Sequence, residues 1–474
     1  MTETKEIIEK YIQFVIDYAP YFYVIPESGP DESFGKGTAA AAHAIDFLYE
    51  ACNDKRFEDI RGQILGKITE LADFILSLQC SQQDSYAYGG FKNLETSTEY
   101  YSIDAMRAIP ALIKAYELTE NQAYLDAAIL AGGTYLYNMQ KKPNEVGIHD
   151  KYYGGFAQAV TEDGSWNTEM HVVDLYGLKA LKMLYDLTGD QKYMDMIDDM
   201  LAFYRYGIEN FYVMFSPGPY GDGKWHRIGT YENAVFDDDF AYALNSLFEY
   251  EGWTSSIRRV YEHLNASDSN SEYPAYNPAV CWAGYIDVEA KAPACEYYDA
   301  VSAGILWRIR RRHDKISYEF SRKIIEKYYE SFMFWGLKFE DYSPIENRQS
   351  IITVSWLGIF LTKYKPVNTT FLRILKTLGE KLTVYPLVRE GEEASYGEGI
   401  EMEAVVEPLR AEEVILESGY METDQIKIYV YSPIRNRDRI EWRGRLYEAG
   451  PIQEYSFRRE TVYKASICRR IDKT

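Results

Sequence analysis

Tyr88-Gly89-Gly90-Phe91 recurs as Tyr153-Gly154-Gly155-Phe156, and each copy is followed by a polar loop and then a long helical pattern. Self-similarity over tens of residues marks a repeat architecture, in which each unit leaves an apolar face that only its neighbours can bury. Weaker echoes stand at Ser33-Phe34-Gly35, Tyr220-Gly221-Asp222-Gly223, Trp282-Ala283-Gly284-Tyr285 and Phe334-Trp335-Gly336-Leu337, which brings the units to six.

A helix start aligns behind three of the echoes. Thr98-Glu99 runs to Asp104, Thr168-Glu169 to Asp174 and Tyr231-Glu232 to Asp237, a shared Glu-x4-Asp; Glu296 and Glu346 open comparable helices, but Val301 and Ile351 replace the second acid. Short polar breaks, Leu118-Thr119-Glu120-Asn121 and Leu187-Thr188-Gly189-Asp190, lead into second helices at Gln122–Met139 and Gln191–Tyr204. These are αα-hairpins. The leading helices (Ile103–Ala115, Val172–Tyr185) are apolar on nearly all faces and read as inner, while the trailing ones carry charge on one side and read as outer.

Six such hairpins close into a ring. At this point residues 1–365 resemble the (α/α)6 toroid of the six-hairpin glycosidases, such as unsaturated glucuronyl hydrolases and related sugar epimerases and lyases. The resemblance is one of architecture and repeat period, and no catalytic motif of any one family matches residue by residue. It implies that the N-terminal ends of the inner helices face one mouth, bordered by Glu99, Asp104, Glu169, His171, Asp174, Glu232, Asp237, Asp238, Asp239 and Glu296. Trp166, Trp225, Tyr231 and Trp282 would interleave with them. Carbohydrate sites have this character, because aromatic rings stack on sugar C–H faces while carboxylates bind hydroxyls. Asp174 and Asp237 are the first choices for a general acid/base pair, with His171 one turn from Asp174; Glu99, Asp104, Glu169, Trp166, Trp225, Glu232, Trp282 and Glu296 are substrate-binding candidates. The competing reading is structural: a Glu in the first turn is favoured by the helix dipole and can cap the helix.

The 474 residues carry 51 Lys+Arg against 73 Asp+Glu, a net charge of −22, which argues against wrapping nucleic acid or lying on an anionic membrane. No apolar run approaches the roughly 18 residues of a membrane span, and no export signal stands at the N-terminus. Cys52, Cys80, Cys281, Cys295 and Cys468 are scattered, so reduced and mostly buried thiols are expected. The six histidines are not spaced as a zinc pair, and Asp237-Asp238-Asp239 opens a helix where calcium needs a loop. No Walker loop, dinucleotide fingerprint or nucleophile elbow occurs. No metal and no cofactor are expected.

Past Lys365-Pro366 the pattern changes. A short amphipathic helix is expected over Thr369–Leu382, followed by period-two strands at Thr383–Arg389, Glu401–Pro408, Gln425–Tyr431, Arg439–Trp442, Arg445–Glu448 and Thr461–Arg469, with Arg443-Gly444 as a tight turn. That is a small β barrel or sandwich over 366–474. Ala404–Leu409, Ile426–Val430 and Asp438-Arg439-Ile440-Glu441-Trp442-Arg443-Gly444-Arg445-Leu446-Tyr447-Glu448, closing on Tyr463–Arg470, resemble the head–tail joining or head-closure proteins of tailed viruses. That resemblance implies a ring of copies in the virion neck, contacts with portal, adaptor and tail proteins, and an assembly role for Arg439, Trp442, Arg443, Arg445 and Tyr447. Acids outnumber bases 12 to 2 over Arg389–Asp424, and bases outnumber acids 10 to 5 over Arg435–Arg470, a division that suits head-to-tail neighbours. The combined reading is a virion neck protein whose toroid projects outward and binds host glycans. The alternative is a cytoplasmic carbohydrate-active enzyme with an accessory β domain.

Overall fold

The computed structural model describes residues 2–219, 221–227, 234–252, 254–264, 284–289, 292–293, 295, 297–299, 301–302, 305, 336–338, 347–363, 379–389, 395–408, 425–430, 434–457 and 460–471. Glu232, Trp282, Glu296, Tyr231 and Cys281 lie outside them. The chain divides into two compact units, Met1–Lys363 and Tyr364–Thr474.

In the first unit the described helices are α1 (Thr2–Tyr18), α2 (Thr38–Cys52), α3 (Arg61–Ser77), α4 (Ser102–Thr119), α5 (Gln122–Leu130), α6 (Tyr137–Glu145), α7 (Gly177–Thr188), α8 (Lys192–Glu209), α9 (Asp237–Glu251), α10 (Ser255–Leu264) and α11 (Ile351–Lys363). A π-helical stretch, Ala131–Leu136, joins α5 to α6, and a 3-10 turn, Val172–Tyr176, leads into α7. The inner helices touch in succession: α2 packs on α4, α4 on α7 and α7 on α9, while α11 packs back on α2. Composition permits this. α2 presents Ala39, Ala40, Ala41, Ala42 and Ala44, all buried, so that neighbours approach it from both sides. Ile45, Phe47 and Leu48 fill the interior behind them, each worth about 1.5–3 kcal/mol on burial.

Short antiparallel strands stitch each unit of the ring to the next. The backbone just ahead of an inner helix pairs with a segment of the following repeat: Gly37 with Leu94, Glu99–Tyr101 with Ala159–Thr161, Met170–His171 with Met214–Phe215, Ala234–Phe236 with Tyr285–Asp287, and Tyr297–Asp299 with Gly336–Lys338. Gln349–Ser350 then pairs with Tyr23–Val24, joining the last repeat to the first. The pairing satisfies backbone groups that would otherwise be stranded at the helix starts.

The Gly-Gly turns are explained by close approach. Gly89 and Gly154 have φ of +87° and +92°, and a Cβ would lie 3.0 Å from the Leu130 carbonyl oxygen in one and 2.6 Å from that of Asp199 in the other. The same clamp holds both turns. Gln79 Nε2 donates to the carbonyls of Gly89 and Ala127 (3.0 Å each), and Gln140 Nε2 donates to those of Gly154 (2.8 Å) and Met196 (3.0 Å).

The second unit contains a closed antiparallel barrel, in the order Glu380–Tyr385, Ile400–Pro408, Gln425–Val430, Glu460–Arg470, Arg445–Phe457, Arg439–Trp442 and back to the first strand. Gln425–Val430 alternates between partly and fully buried positions, as period-two patterning requires. The turn at Arg443 (φ 50°) and Gly444 (φ 69°) joins the Trp442↔Arg445 pair as expected. Two expectations change. The last residues of the expected helix Thr369–Leu382 belong to the strand Glu380–Tyr385, and the strand from Arg445 runs to Phe457, past a register shift after Ala449. Among the assembly candidates, Trp442 and Tyr447 are 6% and 2% exposed and belong to the barrel core, because the alternation that carries Ile440 inward carries them inward too. Trp442 Nε1 donates to Glu380 Oε2 (3.0 Å), Arg443 clasps the same carboxylate (2.9 and 3.0 Å), and Arg439 covers the Tyr396 ring at 4.0 Å. Arg443 and Arg445 are exposed.

Candidate functional site

The strands that stitch the ring set where each inner helix begins. Tyr101, His171 and Phe236 end their strands, and helical structure starts at Ser102, Val172 and Asp237. The third residue is then Asp104, Asp174 and Asp239. Glu99 is therefore on a strand and Glu169 lies just ahead of one, and neither occupies a first helical turn as the sequence pattern suggested. Helix capping does not account for them. The acid equivalent to Asp104 and Asp174 in the third repeat is Asp239, two residues beyond Asp237, whose side chain is outside the described set.

These starts bring one group of charges together. Asp104 and Asp174 are 1% and 3% exposed. Burial pushes both carboxyls up to about 6, against the pull of Arg107 on Asp104 and of His171, the Tyr204 hydroxyl and Arg107 on Asp174. Asp239 is raised to about 7 by burial and by the neighbouring Asp238, partly offset by His171 and Arg107, while Asp174 adds to the rise. Asp238 is raised by burial, and Asp299 reaches about 8 through burial and the charge of Asp238. Burial alone would lower His171, yet Glu169, Asp239 and Asp174 together hold it above its ordinary value. Its Nε2 stands 3.7 Å from Glu169 Oε2.

Geometry fixes individual groups. Arg107 Nη1 lies 3.7 Å from Asp104 Oδ1, and its guanidinium covers the Tyr242 ring at 5.6 Å. Tyr204, on the outer helix α8, donates its hydroxyl to Asp174 Oδ2 at 2.8 Å and accepts the Phe156 amide at 3.0 Å. Asp104 Oδ1, Arg107 Nε and His171 Nε2 are buried and make no hydrogen bond among the described residues. The Tyr242 ring under Arg107 packs with the rings of His43, Tyr176 and Trp356, with His43 stacked on Tyr242 at 6.0 Å. Further along the same helices, Lys114 Nζ donates to Asp46 at 2.7 Å and Lys179 Nζ stands 3.6 Å from it, beside a cavity of about 20 Å³ also lined by Asn245 and Ser246.

Of the residues singled out from sequence, Asp104, Glu169, His171, Asp174, Asp238 and Asp239 are drawn into this group. Glu99 accepts the Tyr101 hydroxyl at 2.7 Å on the adjoining strand. Trp166 meets Tyr86 edge-on at 6.1 Å. Trp225 packs against Phe203, Tyr206, Tyr212 and Phe215, around the outer helix α8. His226 is satisfied by Asp222 at 2.8 Å. Sequence reasoning missed Arg107, Tyr204 and Asp299. Arg107 lies one turn from Asp104 and was findable on that spacing, whereas Tyr204 and Asp299 reach the group only through the fold.

A carboxyl held protonated near neutrality beside one held ionised is the requirement for general acid–base chemistry, and this group offers both states within one cluster. No family model matches the sequence, and no curated protein matches it. Solved structures are similar to it. Cellobiose 2-epimerase from Spirochaeta thermophila DSM 6192 matches with a TM-score of 0.55 at 14% identity, over 77% of this chain and 97% of that one. An unsaturated glucuronyl hydrolase specific for heparin matches at 0.51 and 11%, over 77% and 97%. An alpha-amylase from Clostridium perfringens matches at 0.51 and 13%, over 76% and 98%. The helical unit thus has the (α/α)6 toroid fold shared by six-hairpin carbohydrate-active enzymes, and a six-stranded antiparallel β barrel follows it.

Proposed function

We propose that the toroid is a carbohydrate-active enzyme that works by general acid–base catalysis at the helix-start end of its ring. The observation that carries this reading is the convergence of Asp104, Asp174 and Asp239, the same position in three successive repeats, around Arg107 and His171. Asp174, oriented by Tyr204, acts as the base, and Asp239, protonated near neutrality, acts as the acid. His171 lies between them in charge and moves the proton. The toroid fold of known sugar epimerases, hydrolases and amylases adds support by analogy of architecture only.

The test is turnover of a broad panel of reducing sugars and oligosaccharides, scored for hydrolysis, elimination and epimerisation, by the wild type and by Asp174→Asn and Asp239→Asn. Loss of at least about a hundredfold in each variant is expected for groups in acid–base roles. A wild type inert on every member sinks the reading, and full activity in both variants removes these residues from it.

A second reading concerns the barrel alone. The 438–448 hairpin motif resembles that of virion neck proteins in sequence, and a ring-forming role for the barrel is proposed on that resemblance alone. Light scattering on the full chain checks it: a discrete ring disrupted by Arg445→Glu is expected, and a monomer at all concentrations would refute it.

A further inference from the structure

We propose that Glu169 relays protons between the His171 imidazole and solvent. This rests on the acid–base reading above and adds the path by which that site resets its protonation. His171 Nε2 is buried and makes no hydrogen bond among the described residues. Glu169 Oε2 faces it at 3.7 Å, on a side chain 43% exposed against 21% for the imidazole. Glu169 therefore borders both a buried ring nitrogen and solvent. The gap is too long for a hydrogen bond and leaves no room for a water in line, so a small rotation of the carboxylate closes it. Contacts of catalytic groups commonly tighten in this way when a site fills.

The repeat supplies an internal comparison. Glu99 and Tyr101 hold the same two places in the preceding repeat. There the Tyr101 hydroxyl donates to Glu99 Oε2 at 2.7 Å, and burial, helped by that bond, pushes Tyr101 up to about 12. That pair is closed and keeps its proton near neutrality. In the following repeat the places fall to Ala234 and Phe236, which exchange none. Of the three, the pair of Glu169 and His171 alone sets a carboxylate against an imidazole, and it is the open one.

Its surroundings favour a charged resting pair. Against burial of the ring, Glu169, Asp239 on α9 and Asp174 hold the imidazolium, and Arg107 on α4 pulls both of those aspartates down. The approach of His171, then its charge and that of His226, keep Glu169 below the usual carboxylate range. His226 shares the sheet face with His171, since both pair with Met214, and Asp222 holds it at 2.8 Å. The relay is then two proton transfers. The Nε2–H bond breaks as a carboxyl O–H forms, which leaves the imidazole and the carboxylic acid neutral; the acid then gives its proton to water or a buffer base. Uptake is the reverse, and no electron changes hands.

The test is the exchange of the His171 Nε2 proton with water, read by NMR on the full chain with isotope-labelled histidine and assigned by the loss of its signal in His171→Gln. Each variant is checked for folding by circular dichroism. Glu169→Gln is expected to slow the exchange at least about tenfold and to lower the His171 pKa. Glu169→Asp, which keeps a carboxylate, should restore most of the rate, and formate should accelerate exchange in Glu169→Ala and not in the wild type. Tyr101→Phe, which breaks the closed pair of the preceding repeat, should leave the rate as in the wild type. Exchange in Glu169→Gln as fast as in the wild type overturns the proposal, as does equal slowing in Tyr101→Phe. A lowered His171 pKa with unchanged exchange assigns Glu169 a purely electrostatic role and also overturns it. On any sugar that the panel shows to be turned over, Glu169→Gln should lower kcat and leave KM unchanged. The exchange measurement needs no substrate, so its failure is distinct from failure of the carbohydrate reading.

Discussion

The Tyr204 hydroxyl donates a 2.8 Å hydrogen bond to Asp174, whereas Tyr135, at the equivalent place in the preceding repeat, donates at 2.5 Å to the carbonyl of Tyr100 and leaves Asp104 without a tyrosine partner. The equivalence follows from the shared clamp, in which Gln79 spans Gly89 and Ala127 as Gln140 spans Gly154 and Met196. One repeated device thus produces two different carboxylates.

Tyr204→Phe should therefore raise the Asp174 pKa and strand the Phe156 amide. A stability loss of about 1–3 kcal/mol is expected. Carboxyl carbon NMR would show the Asp174 titration moving up, and the acid limb of any activity profile would move with it. Tyr135→Phe should destabilise without moving that titration. An unmoved Asp174 in Tyr204→Phe would contradict the assignment.

Further along the inner helices, Lys114 and Asp46 form a buried pair, with Lys114 lowered to about 8 by burial against the pull of Asp46. Lys114→Met alone leaves Asp46 to Lys179, 3.6 Å away, so the loss should be about 2–4 kcal/mol. Adding Asp46→Asn should recover part of it. A double-mutant cycle in urea measures the coupling, and strictly additive losses would show that the pair is not acting as one.

Much of this architecture was legible in the sequence because the glycine echoes mark places where only glycine fits, as at Gly89 and Gly154. Asp104 and Asp174 were legible for a related reason, since the repeat preserves their distance from a preceding Glu. The third acid was misaligned. The two- and three-residue strands that set each helix start are too short to show periodicity, and counting from Glu232 lands on Asp237 where counting from the helix start lands on Asp239. Tyr204 gave no local signal because its partner lies 30 residues away on another helix. The burial of Trp442 and Tyr447 in the barrel core was not legible, because a motif does not say which face of a strand it occupies.

Stability should respond to pH from two directions. Asp104 and Asp174 (about 6), Asp239 (about 7) and Asp299 (about 8) hold protons in the fold that the unfolded chain releases near pH 4. Their contribution is full below that value and is lost as pH rises through 6 to 8. His43, fully buried and lowered to about 3 chiefly by burial, works in the opposite sense: its contribution is full above about 6.5 and is lost as pH falls toward 3. In thermal scans Asp299→Asn should raise Tm more at pH 8 than at pH 5, and His43→Phe should flatten the acid limb. Parallel Tm curves for wild type and variants would contradict both.

Gly154→Ala should destabilise more than Gly147→Ala, because both have positive φ but only Gly154 has a carbonyl, that of Asp199, 2.6 Å from the added Cβ. The second substitution should cost about 1 kcal/mol and the first clearly more. Equal losses in chemical denaturation would mean that conformation alone, and not the clamp, holds the turn.

The most direct measurement is a crystal structure of Asp239→Asn soaked with the sugar that the wild type turns over in the panel. The account requires the ring to lie at the helix-start end, within hydrogen-bond reach of Asp174, His171 and Arg107. A sugar bound elsewhere on the toroid, with that group untouched, would contradict it.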